Sequence, residues 1–245
     1  MKIAILLPGQ CRFFRKNNSI LDISRNYNSD IFIHTWKRDD DTFTAAPYNG
    51  VGPFQITARD IDEYIKLYSP KKYKVETELT VDLIKTKLKR ENYERTSSVQ
   101  TKYNMYRYFY SLNRCAEMID NLDEYDFVII TRSDMVNIGI PDLNSLSRDC
   151  ILVPTICDQS AARGCPHLIT DAMLCVLPSH SLKIYIELIN SFDSYYDKGY
   201  HFNWEEMFYA HLKETNLLDK AITGHPEFFF QIKRNEDGSI LTSRS

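Results

Sequence analysis

This chain has no CxxC pair, no GxGxxG or GxxxxGK[ST] turn, no long apolar run and no excess of positive charge. Each absence removes a class of function. The six cysteines, at positions 11, 115, 150, 157, 165 and 175, lack the spacing of a zinc ribbon or a thiol redox centre. The apolar run Ile3–Leu7 stops at Pro8-Gly9. It falls short of the roughly 7–15 residues of a signal segment and the roughly 18 of a transmembrane helix. A soluble, cytoplasmic protein with free thiols is therefore expected. Net charge is −3, which leaves no electrostatic footprint for nucleic acid. There is no internal repeat and no low-complexity segment.

What remains is an ordinary globular composition, 43% hydrophobic and 26% charged over 245 residues, enough to bury a full core without staples. One domain over residues 1–235 is expected, followed by a polar tail, 236–245. The stretch Tyr125–Met135, YDFVIITRSDM, organises the rest. Phe127 to Thr131 is a β-branched and aromatic run without alternation, as in a strand buried on both faces of a mostly parallel sheet. It ends at Arg132-Ser133-Asp134. In open α/β sheets ligands bind beyond the carboxyl ends of strands, so this tripeptide is a site candidate. The competing reading is a surface Arg–Asp pair in a solvated loop.

Ile3–Leu7 reads as a first buried strand ending in Pro8-Gly9-Gln10-Cys11-Arg12, with a helix expected from Phe14 to Tyr27. A glycine turn lets backbone N–H groups approach an anion, and Arg12 adds a forked donor, although Arg12 also suits an ordinary helix start. Asp30–Trp36 reads as the second strand, giving β-α-β and a Rossmann-like open sheet flanked by helices. His34, Thr35 and Trp36 then share the carboxyl edge with Gly9 and Asp134. Lys37–Val51 reads as a loop, and its Asp39-Asp40-Asp41 run as solvated.

Further elements are expected at Phe54–Thr57 (strand), Ile61–Tyr68 (helix), Tyr73–Glu76 (strand) and Thr80 or Val81 to Asn92 (helix). Ser97–Leu122 is the longest periodic segment. Its stripe Tyr103, Tyr106, Tyr110, Leu112, Cys115 reads as core, with Gln100 and Tyr103 at the end nearer the site. Residues 158–167 read as a mobile lid or substrate loop, Asp171 as a carboxylate leading into strand Ala172–Leu177, and Leu182–Phe192 as a helix. Asn203 reads as the N-cap of a helix opening with Glu205 and Glu206, which suit a first turn on helix-dipole grounds alone.

Three blocks then carry a resemblance. IAILLPGQCRFF followed by DIFIHTW, together with YDFVIITRSDM, resembles the short GT-A-type glycosyltransferases of bacterial polysaccharide loci and large DNA viruses. The later blocks TDAMLCVLPSHSLKIY and NWEEMFYAHL are similar to that family's Asp-bearing strand and acidic acceptor-side helix. The resemblance runs from Lys2 to about Leu212 in short pieces. It implies a GT-A-like fold, a nucleotide-sugar donor with UDP as default, a glycan acceptor, and a role in building a bacterial or viral glycan in the cytoplasm of a bacterium or an infected host cell. Donor-side residues carried over are Pro8, Gly9, Gln10, Arg12, His34, Thr35, Trp36, Arg132, Ser133 and Asp134.

GT-A enzymes hold a divalent cation, Mn²⁺ or Mg²⁺, with Asp-x-Asp. Here Arg132 replaces the first Asp. Either Asp134 binds the cation with phosphate and water oxygens, His225 serving as a further ligand by analogy, or Arg132 does part of the metal's electrostatic work. Inverting transfer also needs a carboxylate base, for which Glu205 and then Asp171 are the candidates. Two other readings stay open. One is a non-catalytic nucleotide-sugar or glycan-binding module. The other is a sugar nucleotidyltransferase, whose Gly-rich turn PGQCRFFRK does not reproduce.

Overall fold

Ile3 to Leu7 offer no polar side chain to either face, and they form the middle of a strand covered on both sides, β1 (Lys2–Pro8). The computed structural model describes residues 1–12, 14–15, 17–37, 42–44, 55–89, 99–154, 156–157, 168–169, 174–233 and 240–244. The other strands that position the site are β2 (Asn28–Lys37), β3 (Lys72–Thr77), β4 (Phe127–Ile130), β5 (Met135–Gly139), β6 (Ile151–Leu152), β7 (Cys175–Pro178), β8 (Ala221–Ile222), β9 (Phe229–Lys233) and β10 (Ile240–Arg244). The helices are α1 (Ser19–Asn26), α2 (Ala58–Tyr68), α3 (Val81–Lys85), α4 (Val99–Glu117), α5 (Leu182–Ile186), α6 (Leu188–Asp197) and α7 (Trp204–Glu214).

Seven strands make one open sheet in the order β8-β6-β7-β4-β1-β2-β3. β1 is parallel to β2 and β4, and β2 to β3, whereas β7 runs antiparallel to both β4 and β6. The result is an α/β domain with a mostly parallel sheet flanked by helices. Alternation sorts each strand between two cores even though its sequence is apolar throughout. Phe127 and Ile129 face the side covered by α1 and α2, while Val128 and Ile130 face the side covered by α4 to α7.

The chain steps outward from β1 through β2 to β3 and then returns across the opposite face by α4 to β4, on the other flank of β1. Right-handed crossovers demand this change of face when the direction of stepping reverses. The reversal puts a switch point between the carboxyl ends of β1 and β4, in open α/β sheets the place of the crevice that binds ligands. A smaller antiparallel sheet, β10-β9-β5, begins one residue after Asp134, with Met135 paired to Ile232. It braces the far side of the Arg132–Asp134 turn.

Several expected elements differ. The first helix starts at Ser19 rather than Phe14, because Asn17, buried within the turn, spends its amide on the carbonyls of Ser133 (2.8 Å) and Met135 (2.7 Å). The expected Lys37–Val51 loop contains a three-residue strand, Thr42–Thr44, paired with Gln55–Thr57. The helix expected from Thr80 or Val81 to Asn92 closes at Lys85, and positions 90–98 lie outside the described residues. Leu182–Phe192 divides at Glu187 into α5 and α6, and α6 runs on past the expected end to Asp197. Among the described residues no helix is long and apolar enough to cross a membrane.

Candidate functional site

The β1 strand ends at Pro8, and Gly9 turns the chain with φ +99°, a conformation that costs any residue with a Cβ. The turn is sewn to its neighbours. Gly9 N–H donates to Ser111 Oγ (2.6 Å) and to the His34 carbonyl (3.1 Å). Arg12 N–H donates to the Gln10 carbonyl (3.0 Å) and Ser133 Oγ (3.2 Å). The Ser133 hydroxyl lies within 3.1 Å of the Gln10 carbonyl and 2.9 Å of the Arg12 carbonyl. The amides of Gly9 and Arg12 are thus committed inside the turn. Neither is the open anion donor that the glycine turn suggested.

The β4 strand delivers Arg132-Ser133-Asp134 into a turn closed by Met135 N–H on the Arg132 carbonyl (3.1 Å). Asp134 is fully buried, and its Oδ2 contacts Arg132 Nη2 and lies 3.2 Å from Arg12 Nε. Arg132 is buried, while the Arg12 side chain keeps a quarter of its surface in solvent. Two guanidinium groups therefore share one carboxylate at the mouth of the crevice. This is no loose surface pair. A buried carboxylate is tolerable only when charge and hydrogen bonds compensate its desolvation.

His34, Thr35 and Trp36 stand at the same edge, but all three are buried. Thr35 alternates to the opposite face from His34 and Trp36. His34 is held between Ser111 (Nδ1 to Oγ 2.7 Å) and Glu76 (Nε2 to Oε2 3.3 Å). Burial pushes its pKa down to about 4 against a weaker upward pull from Glu76, so the ring is neutral at pH 7. Burial alone would raise Glu76. Lys74, His34 and Arg114 outweigh that and bring it to about 2. An ionised Glu76 accepts the Nε2 proton, leaving Nδ1 to accept from Ser111. His34 thus supports the Gly9 turn from beneath rather than lining the crevice. Trp36 stacks on Tyr110, ring centroids 5.5 Å apart. Cys11, within the turn, is an inert thiol that burial drives up to about 12.

On the other side of the crevice Asn203 caps α7 as expected, its Oδ1 accepting from Glu206 N–H at 2.9 Å. Glu206 is buried against His201, 2.9 Å away, whereas Glu205 is half-buried in the same first turn. Trp204 sets its ring edge-on to Tyr108 of α4 at 5.1 Å, and Tyr108 lies against Gly9. That contact brings the start of α7 beside the Arg12–Arg132–Asp134 cluster. Asp171 and the 158–167 stretch lie outside the described residues.

The residues do not fit the divalent cation implied for Asp134 and His225. Asp134 is engaged by two cations already, and like charges oppose a third. His225 lies three residues beyond β8, and β8 stands three positions from β4 in the sheet. Its Nδ1 accepts from Glu227 N–H at 3.2 Å. Among the described residues no three or more His, Cys, Asp or Glu side chains converge.

Sequence reasoning missed Ser111, Tyr108, Asn17 and Glu76. Of the α4 residues it did name, Tyr103 is core. The available signal was Tyr108, Ser111 and Cys115, one helical face on which a serine interrupts buried apolar positions. A scan against protein-family models finds no match, and a search of curated proteins finds none either.

Proposed function

We propose that the chain is a glycosyltransferase that moves a sugar from a nucleotide-sugar, UDP-linked in the first instance, to a hydroxyl of a glycan acceptor. The observation that carries this reading is the pair of guanidiniums, Arg12 and Arg132, sharing buried Asp134 where the strand order reverses. That crevice suits a dinucleotide-sized or nucleotide-sugar ligand, and forked cations suit its diphosphate. The acceptor oxygen bonds to the anomeric carbon as that carbon's bond to the phosphate oxygen breaks. The electron pair leaves on the diphosphate, whose growing charge the preorganised guanidiniums stabilise. The acceptor proton passes to Glu205, the carboxylate at the opening of α7. Arg12 and Arg132 do here what a cation does elsewhere.

A thermal-shift panel of UDP-, GDP- and dTDP-sugars, each with Mn²⁺ and with chelator, tests this. Ligand that binds the folded state raises Tm by mass action. One nucleotide class should shift wild type with chelator present, and Arg12→Gln should weaken that binding at least tenfold, the scale of one charge-assisted contact. Glu205→Gln should keep donor binding and lose transfer. Retained turnover would remove Glu205 as base. A shift without transfer or donor hydrolysis would favour the binding-module reading. No shift with any nucleotide would overturn both.

A further inference from the structure

Tyr108 projects from α4 into an aromatic cluster, edge-on to Trp204 at 5.1 Å and to Phe109 at 5.4 Å. Its Cδ2 lies 4.0 Å from the point a Cβ would occupy on Gly9. The residue is 7% exposed, and its hydroxyl has no hydrogen-bond partner. Buried polar groups are nearly always paired, and a phenylalanine would fill the same space without an orphaned oxygen.

Buried hydroxyls without partners among the described residues belong to Thr35, Tyr68, Tyr108 and Ser181. Tyr68 and Tyr108 differ in their surroundings. Burial is the whole cause of the upward pKa shift of Tyr68. Tyr108 is also held far up by burial, but Arg132 pulls it down while the buried thiols of Cys175 and Cys115, and after them Asp134, push it up. Its oxygen therefore sits in the field of the charged cluster, protonated and able to donate. Tyr68 ends α2, just before β3 begins, and so stands at the opposite edge of the sheet.

We propose that Tyr108 is a ligand-binding residue of the Arg12–Arg132–Asp134 crevice, its hydroxyl donating to a phosphate oxygen of the ligand held there. If the function proposed above holds, that oxygen belongs to the diphosphate of the nucleotide-sugar. The inference rests on that reading for the identity of the ligand and on the orphaned hydroxyl for the contact. The aromatic pair Tyr108–Trp204 then forms the wall that separates the diphosphate from the acceptor side.

The test compares wild type, Tyr108→Phe and Tyr68→Phe as full chains, measuring Tm without ligand and the Kd for UDP-glucose, GDP-mannose, dTDP-glucose and inorganic pyrophosphate. Tyr108→Phe removes one oxygen and no packing. Its Tm should equal or exceed that of wild type, because an unpaired buried hydroxyl is lost. Affinity for the ligand that wild type binds should fall about 10- to 100-fold, as for a hydrogen bond to a charged group. Tyr68→Phe should leave affinity unchanged. Unchanged affinity in Tyr108→Phe, or an equal loss in Tyr68→Phe, overturns the assignment. If wild type binds pyrophosphate but none of the sugar nucleotides, the glycosyltransferase reading fails, and the same loss of pyrophosphate affinity in Tyr108→Phe sustains this one. Failure of wild type to bind any of the four overturns both.

Discussion

The two edges of the main sheet carry similar charges in opposite circumstances. At the amino edge Asp30 meets Lys71 at 2.8 Å and the Tyr125 hydroxyl at 2.6 Å, Lys2 meets Glu124 at 2.9 Å, and Lys72 meets Asp120 at 2.6 Å. These groups are partly or largely in solvent, and they hold strand starts together without enclosing anything. At the carboxyl edge Asp134 is sealed from solvent beneath two arginines, and Tyr108 keeps an unpartnered hydroxyl beside them. Solvent makes the first arrangement cheap and nearly neutral. Burial makes the second costly, and a costly arrangement is maintained only where it is compensated. The contrast sets the carboxyl edge apart by energetics as well as by its place in the fold, and it supports the site proposed there.

The sharpest way to break that contrast is to delete Asp134. Asp134→Ala leaves buried Arg132 without its carboxylate and should cost about 3–5 kcal/mol of stability, read by urea denaturation. A cost no larger than that of an amino-edge variant would erase the distinction. This variant is therefore a poor probe of ligand binding, for which Arg12→Gln is better suited because Arg12 reaches solvent.

A smaller effect concerns the support under Gly9. The unfolded chain protonates His34 near pH 6.5, whereas the folded chain refuses the proton until about pH 4. Stability is therefore complete above 6.5 and falls as pH drops towards 4, by about 3 kcal/mol in all. Glu76, depressed to about 2, adds a loss of the same sign below its ordinary range. Tm followed from pH 7 to pH 4.5 should decline less steeply in His34→Gln than in wild type. Parallel curves would show that His34 does not carry this dependence. The smallest effect belongs to the amino edge, where Lys72→Ala should leave Tm within about 2 °C of wild type.

The central parallel strands β1, β2 and β4 were legible because each holds a short apolar run cut by glycine, proline or charge, a pattern that burial on both faces imposes locally. Asn203 as cap and the acidic turn after it were legible for the same kind of reason, since a helix start is satisfied by its own neighbours. The start of α1 was not. Its onset is delayed by Asn17, whose partners lie on the turn after β4 and leave no trace near residue 17. His34 was recognised at the strand end, but its role depended on whether it faced the crevice or the interior. Phase relative to α4 decided that.

Chemistry at the edge follows the same division. Composition and spacing along the chain determined an α/β sheet whose strands end in Gly9-Gln10-Cys11-Arg12 and Arg132-Ser133-Asp134, because those signals act within a few residues. Only the tertiary structure decided that Arg12 and Arg132 converge on one carboxylate, that Ser111 receives the Gly9 amide from 102 residues away, and that Tyr108 packs between Gly9 and Trp204 with its hydroxyl unpartnered. Such contacts join segments whose spacing is set by how helices rest on a twisted sheet, and no local pattern encodes that distance.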